Sequence, residues 1–285
     1  MKRLTTIKTP VTFEGVSPFS LQKTVITIKP RFQQGYVFVV NGNEVPVDVA
    51  HTLPVANGKH TTLVSNAKAR VRFTEHILSA LAGLEIDGAI IELDGEEVPA
   101  LDGSAKTFTN GLESVRGETF EVEDSKYKEF VVKEEITFEY DGSKAVLLPS
   151  LGERSELKVE IEFPKPVGNQ AFSFERSGGN YLLEVAWART FIRRPVDADG
   201  WAKARKEVPM LPEDITQSPI LVANEKGRWI VKPLSDDEPA RHKMLDLVGD
   251  LATLGMPIVG DIYVNRPGHE FNRRLVRYLA GLWRG

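Results

Sequence analysis

Short runs of β-branched and aromatic residues, broken by Gly, Pro and Asn, open the chain, so that residues 11–13, 25–28 and 36–40 read as antiparallel strands. The period then changes. In Thr74-Glu75-His76-Ile77-Leu78-Ser79-Ala80-Leu81-Ala82-Gly83-Leu84 the apolar residues Ile77, Leu81 and Leu84 recur at helical spacing, with Thr74 in the N-cap position. A strand at 89–93 follows, and Asp102-Gly103-Ser104 opens a second helix that runs to about Val115. Charged residues gathered at 123–128 mark the end of a first domain.

The second half runs through the same order. Strands at 136–140 and 157–163 precede a helix at 241–254 and a strand at 258–264, and Ile136-Thr137-Phe138-Glu139 echoes Val11-Thr12-Phe13-Glu14. Both main helices begin with a histidine and carry a glycine seven residues on, His76 to Gly83 and His242 to Gly249. The pattern predicts an α+β fold of two similar domains, residues 1–125 and 126–285. Two copies this weak also fit two unrelated α+β units. Residues 193–238, rich in Pro, Asp and Lys, form an insertion in the second domain, with short strands at 219–223 and 228–231.

Composition narrows the classes. The 285 residues suffice for two domains with their own cores, and 36 basic against 40 acidic residues leave a net charge of -4 with no basic tract for nucleic acid. There is no cysteine, so a disulfide framework, a thiolate metal cage and a cysteine nucleophile are all excluded. Neither a secretory signal nor an apolar stretch of transmembrane length is present, which predicts a cytoplasmic protein without a transmembrane segment.

On the 241–254 helix His242, Asp246, Gly249, Asp250 and Thr253 fall on one stripe, and Met244, Leu247, Val248, Leu251 and Leu254 on the other. A solvated polar face fits that periodicity. So does a metal site, because His and Asp one turn apart can bind one ion, and zinc accepts imidazole nitrogen and carboxylate oxygen. If the two halves pack helix to helix, His76 completes a three-ligand set with His242 and Asp246 and leaves a fourth position for water. Zinc lowers the pKa of such a water from about 15.7 to roughly 7. Glu75 can then act as general base, and His269, on a Pro-Gly turn after a strand, as the acid that an amide leaving group needs, with Asp250 holding its imidazolium. Lys243 and Thr190 can stabilise an oxyanion. His269 also reads as an exposed loop residue, and His51 and His60 as ordinary loop histidines. No Gly-rich phosphate loop, Gly-x-Ser-x-Gly elbow or His-Glu-x-x-His occurs.

Five segments, in order along the chain, carry a family resemblance. They are Thr74-Glu75-His76 with Leu81-Ala82-Gly83-Leu84, Leu101-Asp102-Gly103-Ser104-Ala105, Ala188-Arg189-Thr190-Phe191, the run from Arg241 through His242 and Asp246 to Leu251, and Gly268-His269. Together they resemble the UDP-3-O-acyl-N-acetylglucosamine deacetylase (LpxC) family. The resemblance implies two domains of layered β-sheet and paired helices with a zinc site at their interface, and removal of acetate from the 2-acetamido group of an acylated UDP-sugar on the route to lipid A. Carried over by position, His76, His242 and Asp246 are the Zn2+ ligands, Glu75 the base and His269 the acid oriented by Asp250. Thr190 and Lys243 contact oxyanion and substrate, and Phe191 packs on the sugar. The expected partner is the small nucleotide-sugar alone, with no nucleic acid, and the expected state a monomer.

The departures concern substrate. Where the family has a Gly-x-Gly-Leu-His-Ser-Gly-like stretch, this chain reads Gly15-Val16-Ser17-Pro18-Phe19-Ser20, and where the family places apolar residues it has Gly58-Lys59-His60 and, in the insertion, Arg193-Arg194. An unpaired charge is a costly lining for an acyl chain. The alternative is therefore the same zinc chemistry on a less lipidic N-acetylated substrate. A non-catalytic binding protein of the same domain type is a third reading, opposed by the intact set of ligands, acid and base.

Overall fold

The structure, a computed structural model, describes residues 1–53, 62–65, 68–150, 152, 155–192 and 196–283. Lys59 and Arg193, the charged residues expected to line an acyl chain poorly, lie outside the described residues, as do His60 and Arg194.

Alternation sets the sheets. Along Lys23–Pro30 the residues Thr24, Ile26 and Ile28 are buried while their neighbours are not, the period of a strand with one covered face. That strand belongs to a five-stranded sheet with the spatial order Val11–Val16, Lys23–Pro30, Gly88–Leu93, Gly35–Val40, Asn43–Pro46. A second five-stranded sheet has the order Ile136–Tyr140, Ser143–Leu148, Asp261–Asn265, Glu156–Glu162, Asn169–Glu175. The two topologies are the same. In each, the middle strand comes last in sequence and lies antiparallel to one neighbour and parallel to the other.

A parallel neighbour requires a crossover connection, and in each half the crossover carries the main helix. In the first half it is α1 (Glu75–Gly83), with α2 (Lys106–Val115) after the middle strand. In the second half the chain adds α3 (Gly178–Glu184) and α4 (Ala198–Glu207) before the crossover helix α5 (Glu238–Leu251), and α6 (His269–Leu282) follows the middle strand. Leu78 and Leu81 of α1 and Met244, Leu245 and Val248 of α5 belong to one continuous core with Ile26 and Phe38 of the first sheet and Val159 and Ile262 of the second.

Local details depart from the sequence expectations for identifiable reasons. The strand expected at 258–264 is split, because Gly260 has φ +154° and a Cβ there would lie 2.6 Å from Val132 Cγ2. Ile258–Val259 pairs instead with Phe130–Val131, and Asp261–Asn265 enters the sheet. Thr74 precedes α1 but makes no side-chain capping bond. In the insertion, α4 was not anticipated: Trp201 is its only buried residue, and its start is set by Asp197, whose carboxylate accepts the Gly200 N–H at 2.7 Å. Trp201, Leu211 and Val222 form a separate small core there. Among the described residues no helix is long and apolar enough to cross a membrane.

Candidate active site

The site lies where α1 meets α5. Phe73, just ahead of α1, has φ +58°, a strained conformation for a bulky residue, and its ring packs on His76 at a centroid distance of 4.7 Å. Gly249 of α5 sits against the first turn of α1, and a Cβ there would stand 2.1 Å from the Glu75 carbonyl oxygen. Only glycine lets the two backbones come this close, and that approach brings Glu75 and His76 over the polar stripe of α5. Deeper down, the Ser79 hydroxyl donates to the Leu245 carbonyl at 2.7 Å and is 2.7 Å from the Tyr181 hydroxyl, so the helices are tied as well as packed.

The polar stripe of α5 does not face solvent: His242, Asp246 and Asp250 are all buried, as are Glu75, His76 and His269. His242 Nε2 is 3.4 Å and His76 Nε2 4.0 Å from the same oxygen, Asp246 Oδ1. One ligand atom from each of His76, His242 and Asp246 lies within 4.8 Å of the others. A tetrahedral ion with bonds of about 2.0–2.1 Å holds its ligand atoms roughly 3.4 Å apart; His242 Nε2 and Asp246 Oδ1 already stand at that spacing, and His76 must close on them to complete the set. Protonation states fit as well. Burial, with each ring repelling the other cationic groups, pushes His76 down to about 3 and His242 down to about 4, which leaves both imidazoles neutral at neutral pH. His242 Nδ1 is 3.0 Å from the Ala188 carbonyl. A carbonyl can only accept, so the proton sits on Nδ1 and the lone pair on the Nε2 that faces Asp246. Burial alone would raise the Asp246 carboxyl, but Lys243 and the surrounding imidazoles hold it far below the usual range, fully ionised.

The other Asp246 oxygen, Oδ2, pairs with the Lys243 ammonium and lies 3.8 Å from His269 Nε2. That nitrogen is also 3.8 Å from Glu75 Oε1, while His269 Nδ1 is 2.8 Å from Asp250 Oδ2. Burial pushes Glu75 up to about 7, against the pull of His269. Burial works against the His269 cation, but Asp250 and Asp246 outweigh it and raise the imidazole to about 9. A carboxylate poised near neutrality beside an imidazolium that stays protonated has the protonation states that a base and an acid need. His269 is not on a loop as expected from its Pro-Gly turn; it is the first residue of α6.

Phe191 and Lys243 are buried beside these groups, and Thr190 precedes Phe191 in the chain. Phe191 packs edge-on to His242 at 6.3 Å between centroids, and the Lys243 ammonium is 5.6 Å from the Phe191 ring centre. The Thr190 amide donates to the Gly103 carbonyl and its carbonyl accepts the Leu221 N–H, both at 2.9 Å, which fixes its backbone between the two halves. His51 stays outside, 2.8 Å from Asp48. Sequence reasoning missed Asn272, whose amide donates to Asp250 Oδ2 at 2.8 Å. Its signal was there, three residues after His269 and on the same helical face. Tyr181 gave no signal, because its link to Ser79 spans 102 residues.

Two neutral imidazoles, an ionised carboxylate and a neighbouring carboxylate-imidazole pair, gathered at the crossing of two topologically equivalent helices, are what a metal-dependent hydrolase needs. The family is specific: the model described as UDP-3-O-acyl N-acetylglycosamine deacetylase matches residues 4–281, and the chain belongs to this LpxC family. It is similar to a UDP-3-O-acyl-N-acetylglucosamine deacetylase of Pseudomonas entomophila (strain L48), 31% identical over 287 residues, which cover 98% of this chain and 90% of the relative. A protein of the same name from Solibacter usitatus (strain Ellin6076) is 30% identical over 99% of this chain and 92% of its own length. A bifunctional enzyme LpxC/FabZ of Chlorobaculum tepidum is 32% identical over 96% of this chain, which spans 63% of that longer protein.

Proposed function

We propose that the protein removes acetate from the 2-acetamido group of a UDP-3-O-acyl-N-acetylglucosamine, the lipid A precursor named by its family, with Zn2+ held by His76, His242 and Asp246. The observation that carries the reading is the convergence of both imidazole Nε2 atoms on Asp246 Oδ1, with Glu75 and His269 3.8 Å apart beside it. A divalent metal held there supplies Lewis acidity, polarising the amide carbonyl and lowering the pKa of water toward about 7. The rest falls to the chain. Glu75 takes the proton of the attacking water. Lys243 and Thr190 stabilise the charge that develops on the carbonyl oxygen. His269, kept cationic by Asp250, gives its Nε2 proton to the departing amine, which is what lets an amide break at neutral pH. Phe191 offers a flat apolar surface to the sugar.

The arrangement supports two domains, 1–125 and 126–285, with the 193–238 insertion in the second. Every donor comes from one chain, in keeping with a monomer. A nucleotide-sugar substrate and the lack of cysteine favour a cytoplasmic protein.

A second reading, the same chemistry on a less lipidic N-acetylated sugar, has one observation in its favour. The insertion's apolar side chains pack on one another, with Ile192, Val196 and Ile220 around Trp201, Leu211 and Val222. Acetate release on UDP-GlcNAc with and without a 3-O-acyl chain separates the two. The first reading expects turnover of the acylated sugar to dominate, and a preference for the unacylated sugar overturns it. His242→Ala abolishes release under either.

A further inference from the structure

Arg189 stands in one of the five family segments yet has no part in the chemistry above, and Glu238 opens α5 with a carboxylate that has no exposure to solvent at all. Both converge on a single peptide unit. The bond joining Ala188 to Arg189 offers its N–H to Glu238 Oε1 at 3.0 Å and its carbonyl to His242 Nδ1 at 3.0 Å. Glu238 and His242 are four residues apart on α5, hence on one face one turn apart. The helix therefore grips the peptide at both ends. The Arg189 side chain then folds back on the same carboxylate, with Nε 2.9 Å from Oε1 and Nη2 3.2 Å from Oε2, and its Nη2 also donates to the Lys232 carbonyl at 2.9 Å. The Leu234 N–H donates to Oε2 as well.

We infer that Glu238 and Arg189 are positioning residues that set the tautomer and aim of His242. A carbonyl free to rotate would let the His242 ring turn or carry its proton on Nε2, where it cannot bind a metal. With the peptide plane fixed by Glu238, the Ala188 carbonyl accepts only from Nδ1 and the Nε2 lone pair stays on the Asp246 side. Arg189 supplies the counter-charge that makes a fully buried carboxylate tolerable. The same grip fixes the start of the segment that carries Thr190 and Phe191. This inference rests on the reading of His242 as a metal ligand.

The test is Zn2+ affinity, measured by chelator competition on folded protein, together with hydrogen exchange of the His242 Nδ1 proton in 15N-histidine-labelled, Zn2+-loaded enzyme. In the wild type that proton is expected to be visible and slow to exchange. Glu238→Ala is expected to weaken Zn2+ binding about 10–100-fold, the usual effect of losing a residue that orients a metal-bound histidine, and to speed the exchange. Glu238→Gln, which keeps the volume and one acceptor, is expected to move both readouts in the same direction by less. It carries the test if the alanine variant does not fold. Arg189→Lys keeps the backbone N–H and the charge, so Zn2+ affinity should fall by about threefold or less, the scale of one ordinary hydrogen bond. Lower melting temperatures in the Glu238 variants with unchanged Zn2+ affinity and unchanged Nδ1 exchange would overturn the inference, leaving a structural staple. A wild type that binds no Zn2+ overturns the ligand reading beneath it instead.

Discussion

At the scale of single residues, the proposed chemistry depends on two side chains whose surroundings push them in opposite roles, Glu75 through burial and His269 through its carboxylate neighbours. As the proposed base, Glu75 has to be ionised, so activity is expected to fall as pH drops through its pKa, which burial raises to about 7. As the proposed acid, His269 has to be protonated, so activity is expected to fall as pH rises through its pKa, which Asp250 and Asp246 raise to about 9 over the opposing effect of burial. The expected kcat profile is a bell, and a bound cation, which favours carboxylate and disfavours imidazolium, moves both limbs to lower pH. Glu75→Gln is expected to lower kcat by about 10²–10⁴-fold and to remove the acid limb. A Glu75→Gln enzyme that keeps both limbs contradicts the assignment. His242 and Asp246 were legible from their spacing of one turn, and His76 from its matching place in the other half. The perturbed pKa values were not legible, because they depend on burial and on charges that only folding brings within 4 Å of each other.

At the scale of elements, the site depends on how closely α1 and α5 approach. Gly249→Ala places a methyl 2.1 Å from the Glu75 carbonyl oxygen. The helices must separate or shift, so the variant should lose about 1–3 kcal/mol of stability and a larger share of its activity, since Glu75 and His76 move with α1. Gly281→Ala, near the end of α6 with nothing within 4 Å among the described residues, should instead be neutral or stabilising by up to about 1 kcal/mol. Thermal melts and kcat of the two variants check both. The glycines spaced seven residues after each histidine were visible in the sequence, but their partners were not: Gly249 meets Glu75 and Gly83 meets the Tyr181 ring. Elements were legible where burial imposes a period, as in α1 and α5. Helix α6 was not anticipated, although Phe271, Leu275, Val276 and Leu279 are buried at helical spacing, because the Pro-Gly turn before His269 pointed to a loop. Helix α4 was not either, because a single buried tryptophan leaves no periodic signal.

At the scale of the whole molecule, duplication explains why the site exists where it does. The same sheet order occurs twice, and each copy delivers one crossover helix with a buried histidine to a shared crossing. The repeat was readable from the echoing strand and the His-to-Gly spacing, whereas the strand order was not, because pairing partners such as Lys23–Pro30 and Gly88–Leu93 lie far apart in sequence. Family membership accounts for nearly the whole chain, and the insertion is where substrate choice is open to experiment. Truncating one wall of its small core, by Trp201→Ala, should lower activity on the acylated sugar through KM, with the metal content unchanged. Loss of bound metal in that variant would contradict a role confined to substrate.

The most direct test is a metal titration of the reaction itself: protein stripped by chelator, Zn2+ added back in steps, and acetate release from UDP-3-O-acyl-N-acetylglucosamine followed. Activity that is absent in the stripped protein and rises to a plateau at one equivalent of Zn2+, but never appears in His242→Ala, is the predicted result. Undiminished release from the stripped protein, or a His242→Ala variant restored by one equivalent, would contradict a catalytic metal at His76, His242 and Asp246.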